Sequence, residues 1–415
     1  MLFLPSTRAA ALERLSSFQR TVARYDDARS VVHPDHEGVS RLSLALRHRL
    51  VTEREVVQKV SDTHGLHNAQ KFVQEVCWRM YNKGRLEAHP HVWADYRDAL
   101  TRIRQSASEA TLERAAMVAG GESGVAVMDA FAKELLETGY LHHRARMWWA
   151  SFWIHVEGLP WQLGADWFLR HLHDADPATN TLNWRWVAGL QGGAQPYVVR
   201  RAHLERLCAP IYLQDEAGLE RLDAPKVRPL VVPESRRRAA QVQRDYPSAP
   251  FTASERFGVW VHGEDCHIES TPLNRLRPQA IAAFSVAKDE RHSESAVERL
   301  RDVVLTDTVA RAVRWYDTPG RVYASHSLAD SLRSWAMSEC LSEIHTMAPF
   351  IGPLADEMPH ITRSLASHGI TLRLLRRPWD KCVLPLASGS FFRFFKDVQP
   401  FLPLRMHQRA QIGAS

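Results

Sequence analysis

Residues 38–43, with the sequence GVSRLS, have the residue types of a phosphate-binding turn. Ser40 is a good N-cap for a following helix, whose first amides have no partner within the helix. Such a helix start attracts anions, and Arg41 adds a positive charge, so the turn could hold a pyrophosphate. An ordinary capped helix has the same pattern, and this segment alone does not separate the two.

Two adjacent histidines, His142 and His143, precede Arg144 and Arg146. The pair could indicate a metal site. However, adjacent residues of a helix point in different directions, and no acidic residue stands four positions later. We therefore expect no metal here.

Two other groups of candidate site residues contain carboxylates. Glu75, Trp78 and Arg79 stand at positions i, i+3 and i+4, so one helix face presents all three. Asp174 and Asp176 are one residue apart in a loop that contains a proline. A surface ion pair and a solvated turn, respectively, are the simpler interpretations.

The elements that must position these residues change near the middle of the chain. Residues 1–225 have apolar residues at three- and four-residue spacing, as in 71–86, 127–136 and 145–156, which predicts an all-helical domain. Residues 226–256 contain four prolines and the basic cluster Arg236–Arg238, which is typical of a linker.

Residues 257–415 alternate short β-type runs with helical ones, which predicts a Rossmann-like α/β domain with a parallel sheet. This half lacks the GxGxxG motif, so a usual dinucleotide site is unsupported. The predicted strands are 257–261, 280–286, 322–325, 342–347 and 371–375, and the predicted helices lie near 294–316, 327–340 and 353–367.

Composition limits the class of protein. The 415 residues carry a net charge of +6, all of it in residues 226–415, so the helical half has no basic excess in bulk. The five cysteines are scattered without CxxC spacing, and no 18-residue apolar run occurs. These features predict a cytoplasmic protein with reduced thiols and no membrane span.

The motifs in this order resemble the flavin-binding core of the photolyase/cryptochrome family. The residues that carry the resemblance are TGYLHHRARM at 138–147, then Asp174–Asp176, Asn180 and NWRW at 183–186. The second half resembles the family's antenna-type α/β domain more weakly. In that family the α/β domain comes first, so the resemblance implies a circular permutation.

The resemblance implies FAD as cofactor, and leaves open a second antenna chromophore. It implies a pairing of Arg146 with Asp174 and a place for Asn180 beside the flavin. His143 replaces the usual Asn of cyclobutane-dimer enzymes and could gain a proton near neutral pH. The implied cofactor-binding residues are Tyr25, Val39, Ser40, Arg41, Leu42, Ser43, Phe72, Glu75, Arg79, His143, Arg146, Asp174, Ala175, Asp176 and Asn180.

By the same resemblance, Trp184 and Trp161 are the first two members of an electron relay. The third position falls near Val118, which cannot be oxidised, and Trp148, Trp149, Trp153 and Trp167 are candidate replacements.

The implied activity is light-driven repair of pyrimidine dimers in DNA by electron transfer from reduced FAD. Two alternatives stay open: a cryptochrome-like photoreceptor or flavin-binding regulator without repair, and a light-independent flavoprotein. Lesion type stays open because the pocket mixes features of two photolyase classes. The implied catalytic residues are Trp184, Trp161, Asn180, Glu75 and His143, and the implied DNA contacts are Arg29, Glu75, Trp78, Arg144, Met147, Trp186 and Arg236–Arg238.

Overall fold

A computed structural model describes residues 4–191, 195–227, 245–248, 256–286 and 295–402. The chain forms two compact units. Unit 1 consists of residues 1–3, 23–41 and 89–241, and unit 2 of residues 4–22, 42–88 and 242–415.

Unit 1 is helical in its described residues, apart from one bridge between Val32 and Cys208. Local capping explains several ends: Ser108 caps the helix Glu109–Ala119, and Gly139 ends the helix Ala126–Thr138 in the left-handed conformation at φ 65°. The helices are α2 (Tyr25–Ala28), α5 (His91–Ser106), α6 (Glu109–Ala119), α7 (Ala126–Thr138), α8 (His143–Ser151), α9 (Trp161–His171), α10 (Pro177–Val187) and α11 (Arg201–Leu207). A π-helical turn, Phe152–Val156, follows α8, and short 3₁₀ turns span Val22–Arg24, Pro210–Leu213 and Leu219–Leu222.

Large aromatic side chains fill the core of unit 1. Trp148, Trp149, Trp153 and Trp184 are among the largest fully enclosed side chains of the chain. Gly164 of α9 allows this packing, because a Cβ atom there would lie 2.3 Å from the Trp184 ring.

Unit 2 combines helices with the predicted sheet. Its helices are α1 (Arg8–Gln19), α3 (Ser43–Arg47), α4 (Glu53–Ala88, interrupted at Gly65), α12 (Ala296–Tyr316), α13 (Leu328–Ser338), α14 (Pro353–Ala366), α15 (Pro378–Val383) and α16 (Phe391–Val398). Its strands are β1 (Phe257–Val261), β2 (Ala280–Val286), β3 (Gly320–Ser325), β4 (Glu343–Met347) and β5 (Thr371–Leu375). Short 3₁₀ turns span Ile268–Ser270, Pro272–Arg275, Leu384–Ser388 and Gln399–Phe401.

The five strands form one parallel sheet in the order β3-β2-β1-β4-β5. Separate apolar cores cover its two faces: α12 packs on one, and α13 and α14 pack on the other. The predicted fold class, helices followed by a parallel α/β arrangement, is confirmed. Periodicity succeeds for the central strands β1, β2 and β4, because strands that are largely buried are short and apolar.

Buried ion pairs of Arg49 with Glu53 and Asp380 join the start of α4 to α15 within unit 2. Arg49 donates to both carboxylate oxygens of Asp380 at 2.7 and 2.9 Å. Glu53 lies 3.3 Å from Lys83, and both side chains are fully buried. This network holds the helix that carries Glu75, since breaking a buried pair costs several kcal/mol, about 3–5.

The domain boundaries predicted at residues 225 and 257 stay a prediction. Most of the predicted linker, including Arg236–Arg238, lies outside the described residues. In the described part of the chain, no helix has both the length and the apolar character needed to cross a bilayer.

Candidate flavin-binding site

The acidic loop before α10 is held in one conformation by its own side chains. Asp176 caps α10, because its Oδ1 accepts from the Thr179 amide at 2.9 Å, and Pro177 stands at the helix start. Asp174 is buried, and Arg146 reaches both of its oxygens, Nη1 to Oδ1 at 3.0 Å and Nη2 to Oδ2 at 3.1 Å. The implied pairing of Arg146 with Asp174 is therefore confirmed as a contact.

Two further bonds fix the polar groups around this pair. Arg146 Nε donates to the Leu141 carbonyl at 2.7 Å, which aligns the guanidinium with the carboxylate. Asn180 is buried, and its Nδ2 donates to the Ala165 carbonyl at 2.9 Å. Ala175 is buried between the two aspartates. The loop and the first turn of α10 thus present a rigid set of donors and acceptors.

The two histidines have different surroundings. His142 is buried, and its Nδ1 accepts from the Arg144 amide at 3.1 Å; burial, His143 and His36 lower its pKa to about 3. His143 has an exposed surface, although dense protein around its ring and the charges of Arg146 and Arg144 lower its pKa. Water screens part of this effect, but the direction keeps His143 neutral near pH 7. The expectation that His143 gains a proton near neutral pH stays a prediction.

The predicted relay residues lie in two ring clusters of unit 1. Trp184 is buried and packs edge-on against Trp149, with ring centroids 6.3 Å apart. Trp161 stacks on Tyr96 at 5.4 Å and 28°. Val118 is buried in α6.

Two predicted phosphate contacts, Arg29 and Arg144, have local partners. Arg29 Nε lies 3.4 Å from Asp26 Oδ1, and Arg144 Nη2 donates to Ser30 Oγ at 2.9 Å. Ser30 is neutral, so Arg144 keeps its full charge for an anion.

The predicted lesion residues of unit 1 are partly accessible. Met147 and Trp186 are half-buried. One face of the Trp186 ring is stacked on Tyr197, with centroids 5.3 Å apart and planes at 24°. The sequence did not indicate Tyr197 as the partner of Trp186, because it does not predict the path of the chain between these two residues.

Helix α4 carries the predicted residues of unit 2. Phe72 is buried and packs on Phe18 at 4.8 Å, whereas Glu75 and Arg79 are half-buried. The Phe72 ring thus packs in the interior of unit 2.

Trp78 of α4 has an unexpected partner. Its ring stacks face to face on Phe391 of α16, with centroids 3.6 Å apart and planes at 7°. Tyr81 holds the start of α16 against α4, because its hydroxyl donates to the Gly389 carbonyl at 2.9 Å. The run of phenylalanines at 391–395 was the only sequence signal for a packed aromatic helix.

The phosphate-type turn differs from its prediction. The following helix, α3, begins at Ser43, and its N-cap is Leu42, which makes no side-chain cap bond. Ser40 therefore does not cap it, and five residues provide little of the dipole on which the prediction relied. Arg41 has a left-handed backbone at φ 53°. Tyr25, Val39, Ser40 and Arg41 belong to unit 1, and Leu42 and Ser43 to unit 2.

Comparison with known proteins identifies the central segment. Residues 72–217 match the model of the FAD binding domain of DNA photolyase. This segment is therefore similar to a photolyase FAD-binding domain. A deoxyribodipyrimidine photo-lyase of Streptomyces griseus is 35% identical over 178 residues, covering 42% of this chain and 37% of that protein. One from Agrobacterium fabrum is 30% identical over 230 residues, covering 54% and 43%.

Among solved structures, a bacterial class III photolyase from Agrobacterium tumefaciens matches with a TM-score of 0.42 at 28% identity, over 48% of this chain and 42% of that one. The chain spans about two fifths of the length of these curated relatives.

The described residues fit FAD. Within unit 1, Arg41 Nε is buried and, among the described residues, has no hydrogen-bond partner, which suits a phosphate-bearing group. The carboxylate of Asp174, whose charge Arg146 balances, and the amide of Asn180 suit the ribose and the ring edge of a flavin. Within the described residues, no group of three or more His, Cys, Asp or Glu side chains could hold a metal ion.

Proposed function

We propose that this protein is a light-dependent lyase that splits pyrimidine dimers in DNA by using reduced FAD. One observation carries the proposal: the segment that matches a photolyase FAD domain holds Arg146 in two-point contact with buried Asp174 at the start of α10. The named relatives are deoxyribodipyrimidine photo-lyases. Photolyases act on a base flipped out of the duplex.

When bound and reduced, FAD supplies the electron that light excites. In this proposal Asp174 accepts a hydrogen bond from the cofactor, while Arg146 balances its charge and keeps it ionised. Asn180 holds one N–H in its bond to Ala165 and offers the remaining amide atoms to the flavin. Trp184 returns electrons to oxidised cofactor.

DNA binding in this proposal depends on a few arginines, because residues 1–225 have no net charge. Arg29 and Arg144 contact phosphates, and Glu75, Met147 and Trp186 contact the lesion. A handful of phosphate contacts predicts a slope of log K against log[salt] on the order of −3 to −5. Arg236–Arg238 remain candidates in the same role.

The test uses the full chain loaded with FAD and chemically reduced. Oligonucleotides that contain one cyclobutane dimer or one six-four product are illuminated with blue light or kept in the dark. Light-dependent loss of either lesion supports the proposal and identifies the lesion. Extraction of FMN, no flavin after reconstitution, or no loss of either lesion overturns it.

A photoreceptor or flavin-binding regulator without repair is the second candidate. It is favoured by the stacking of one face of the Trp78 ring on Phe391 and one face of the Trp186 ring on Tyr197, since a lesion cannot stack on an occupied face. Flavin photochemistry without dimer loss would select this function.

We further propose that the sheet of unit 2 corresponds to the family's antenna-type domain in permuted order. Extraction and chromatography of all bound pigments test whether it carries a second chromophore.

A further inference from the structure

Aromatic rings from α8, α9 and α10 form one connected series in unit 1. The Trp184 ring packs edge-on against Trp149 at 6.3 Å, and Trp149 stacks on Trp167 at 4.5 Å and 23°. The Trp167 ring lies 5.4 Å from His171. Centroid separations of about 4.5–7 Å are those of rings in direct contact. The series therefore runs from Trp184 through Trp149 and Trp167 to His171 without a gap.

The surroundings change along this series. Trp149 is fully enclosed, Trp184 is 2% exposed, and Trp167 is 5% exposed, whereas His171 is half-buried. Among the described residues, the buried Nε1 atoms of Trp184 and Trp149 have no acceptor. An oxidised indole at either position would keep its proton and its charge in an apolar interior, which is costly. His171 is the first titratable ring along the series, and burial and Arg170 lower its pKa, so it is neutral at pH 7.

We propose that Trp149 and Trp167 carry electrons to Trp184, and that His171 accepts the proton that oxidised Trp167 releases. The proposal rests on the proposed function, because photoexcited FAD is the oxidant of Trp184. One electron moves from Trp149 to oxidised Trp184, and one moves from Trp167 to oxidised Trp149. Oxidised Trp167 then loses its Nε1 proton to His171, and an external thiol returns one electron and one proton.

A second ring stack in unit 1 is the competing route. Trp161 stacks on Tyr96, and Tyr96 lies 5.4 Å from Trp93. The Tyr96 hydroxyl is buried and has no acceptor among the described residues, and burial together with Asp166 raises its pKa. A phenol must release its proton when oxidised, so Tyr96 resists oxidation and interrupts electron transfer between Trp161 and Trp93.

The experiment measures blue-light reduction of bound, oxidised FAD by a thiol. Trp149→Phe and Trp167→Phe should each lose most of the photoreduction rate, because phenylalanine keeps an apolar ring but is much harder to oxidise. Trp148→Phe is the matched control: Trp148 is also fully buried in α8, but in the described residues its ring stacks on Phe131 at 6.3 Å and contacts neither Trp184 nor Trp167. This variant should photoreduce like the parent.

Two further readouts separate a relay from a packing role. Trp149→Phe loaded with chemically reduced FAD should repair dimers like the parent, because the relay serves only the oxidised cofactor. In transient absorption, His171→Gln should delay formation of the neutral Trp radical and leave the first electron transfer unchanged.

Three results overturn the relay. The first is an equal photoreduction rate in Trp149→Phe and Trp148→Phe, and the second is a loss of photoreduction in Tyr96→Phe alone. The third is a transient absorption signal of the neutral Trp radical in Trp167→Phe that is the same as in the parent. If the FAD-loaded parent is itself not photoreduced, the light-driven function fails instead. Normal photoreduction in every variant rejects the relay and leaves that function standing.

Discussion

Gly164 provides a direct test of how Trp184 is held. A Cβ atom at this position would lie 2.3 Å from Cη2 and 2.8 Å from Cζ3 of Trp184, and 3.1 Å from the Trp153 ring. Trp184 is 2% exposed, and Trp149 and Phe168 pack on its ring. The indole therefore cannot rotate into solvent, and Gly164→Ala must displace it within the core.

The magnitude follows from two opposing effects. Ordinary contact begins near 3.4 Å, so the Trp184 ring must move by about 1.1 Å. Overpacking a core costs about 1–3 kcal/mol, and this displacement places Gly164→Ala near the upper end. Alanine in a helix interior recovers about 1 kcal/mol relative to glycine. We expect a net loss of about 1–2 kcal/mol in the free energy of unfolding.

The matched control is Gly120→Ala, at the end of α6. Gly120 has φ −77° and ψ −6°, and an added Cβ would meet nothing closer than the Ala116 carbonyl oxygen at 3.3 Å. Its stability should stay within about 0.5 kcal/mol of the parent. Denaturant unfolding followed by tryptophan fluorescence measures both variants, since the core of unit 1 contains several buried tryptophans.

The displacement of Trp184 should also slow photoreduction of bound FAD while FAD binding persists. If Gly164→Ala unfolds at the same denaturant concentration as Gly120→Ala and photoreduces like the parent, then Trp184 does not pack against α9 as described.

The remaining predictions concern charge and redox chemistry. Trp184→Phe should bind FAD but lose its photoreduction, which absorbance under blue light measures; unchanged photoreduction would mean that electrons enter elsewhere. Arg146→Gln should destabilise the protein by about 3 kcal/mol, because it leaves buried Asp174 without its counter-charge, whereas adding Asp174→Asn should restore part of the loss; a strictly additive double-mutant cycle would contradict the pairing. Burial opposes ionisation of Glu53, but the positive charges of Lys83 and Arg49 lower its pKa from 4.5 to about 2. Its contribution to stability is therefore present above about pH 4.5 and is lost as the pH falls towards 2, so Glu53→Gln should flatten that part of the unfolding profile.

The sequence alone determined the elements of the fold and the nature of the cofactor site. Apolar periodicity predicted all five strands and the helices between them, because the spacing of apolar residues in an element reflects which face of that element is buried. The resemblance of the motifs to the photolyase/cryptochrome family implied the Arg146–Asp174 contact and FAD as the cofactor. The predicted roles of the other site residues stay predictions.

Only the tertiary structure decided which side chains meet across distant segments. Phe391 stacks on one face of the Trp78 ring and Tyr197 on one face of the Trp186 ring, although nothing in either local sequence specifies the partner. The same holds for the ring series, where three helices must pack before Trp149 can contact both Trp184 and Trp167. Helical spacing places a ring on a face, but the choice among neighbouring tryptophans depends on how close the helices come, and Gly164 sets that distance for Trp184. Sequence periodicity reports burial, whereas contact geometry is a property of the packed core.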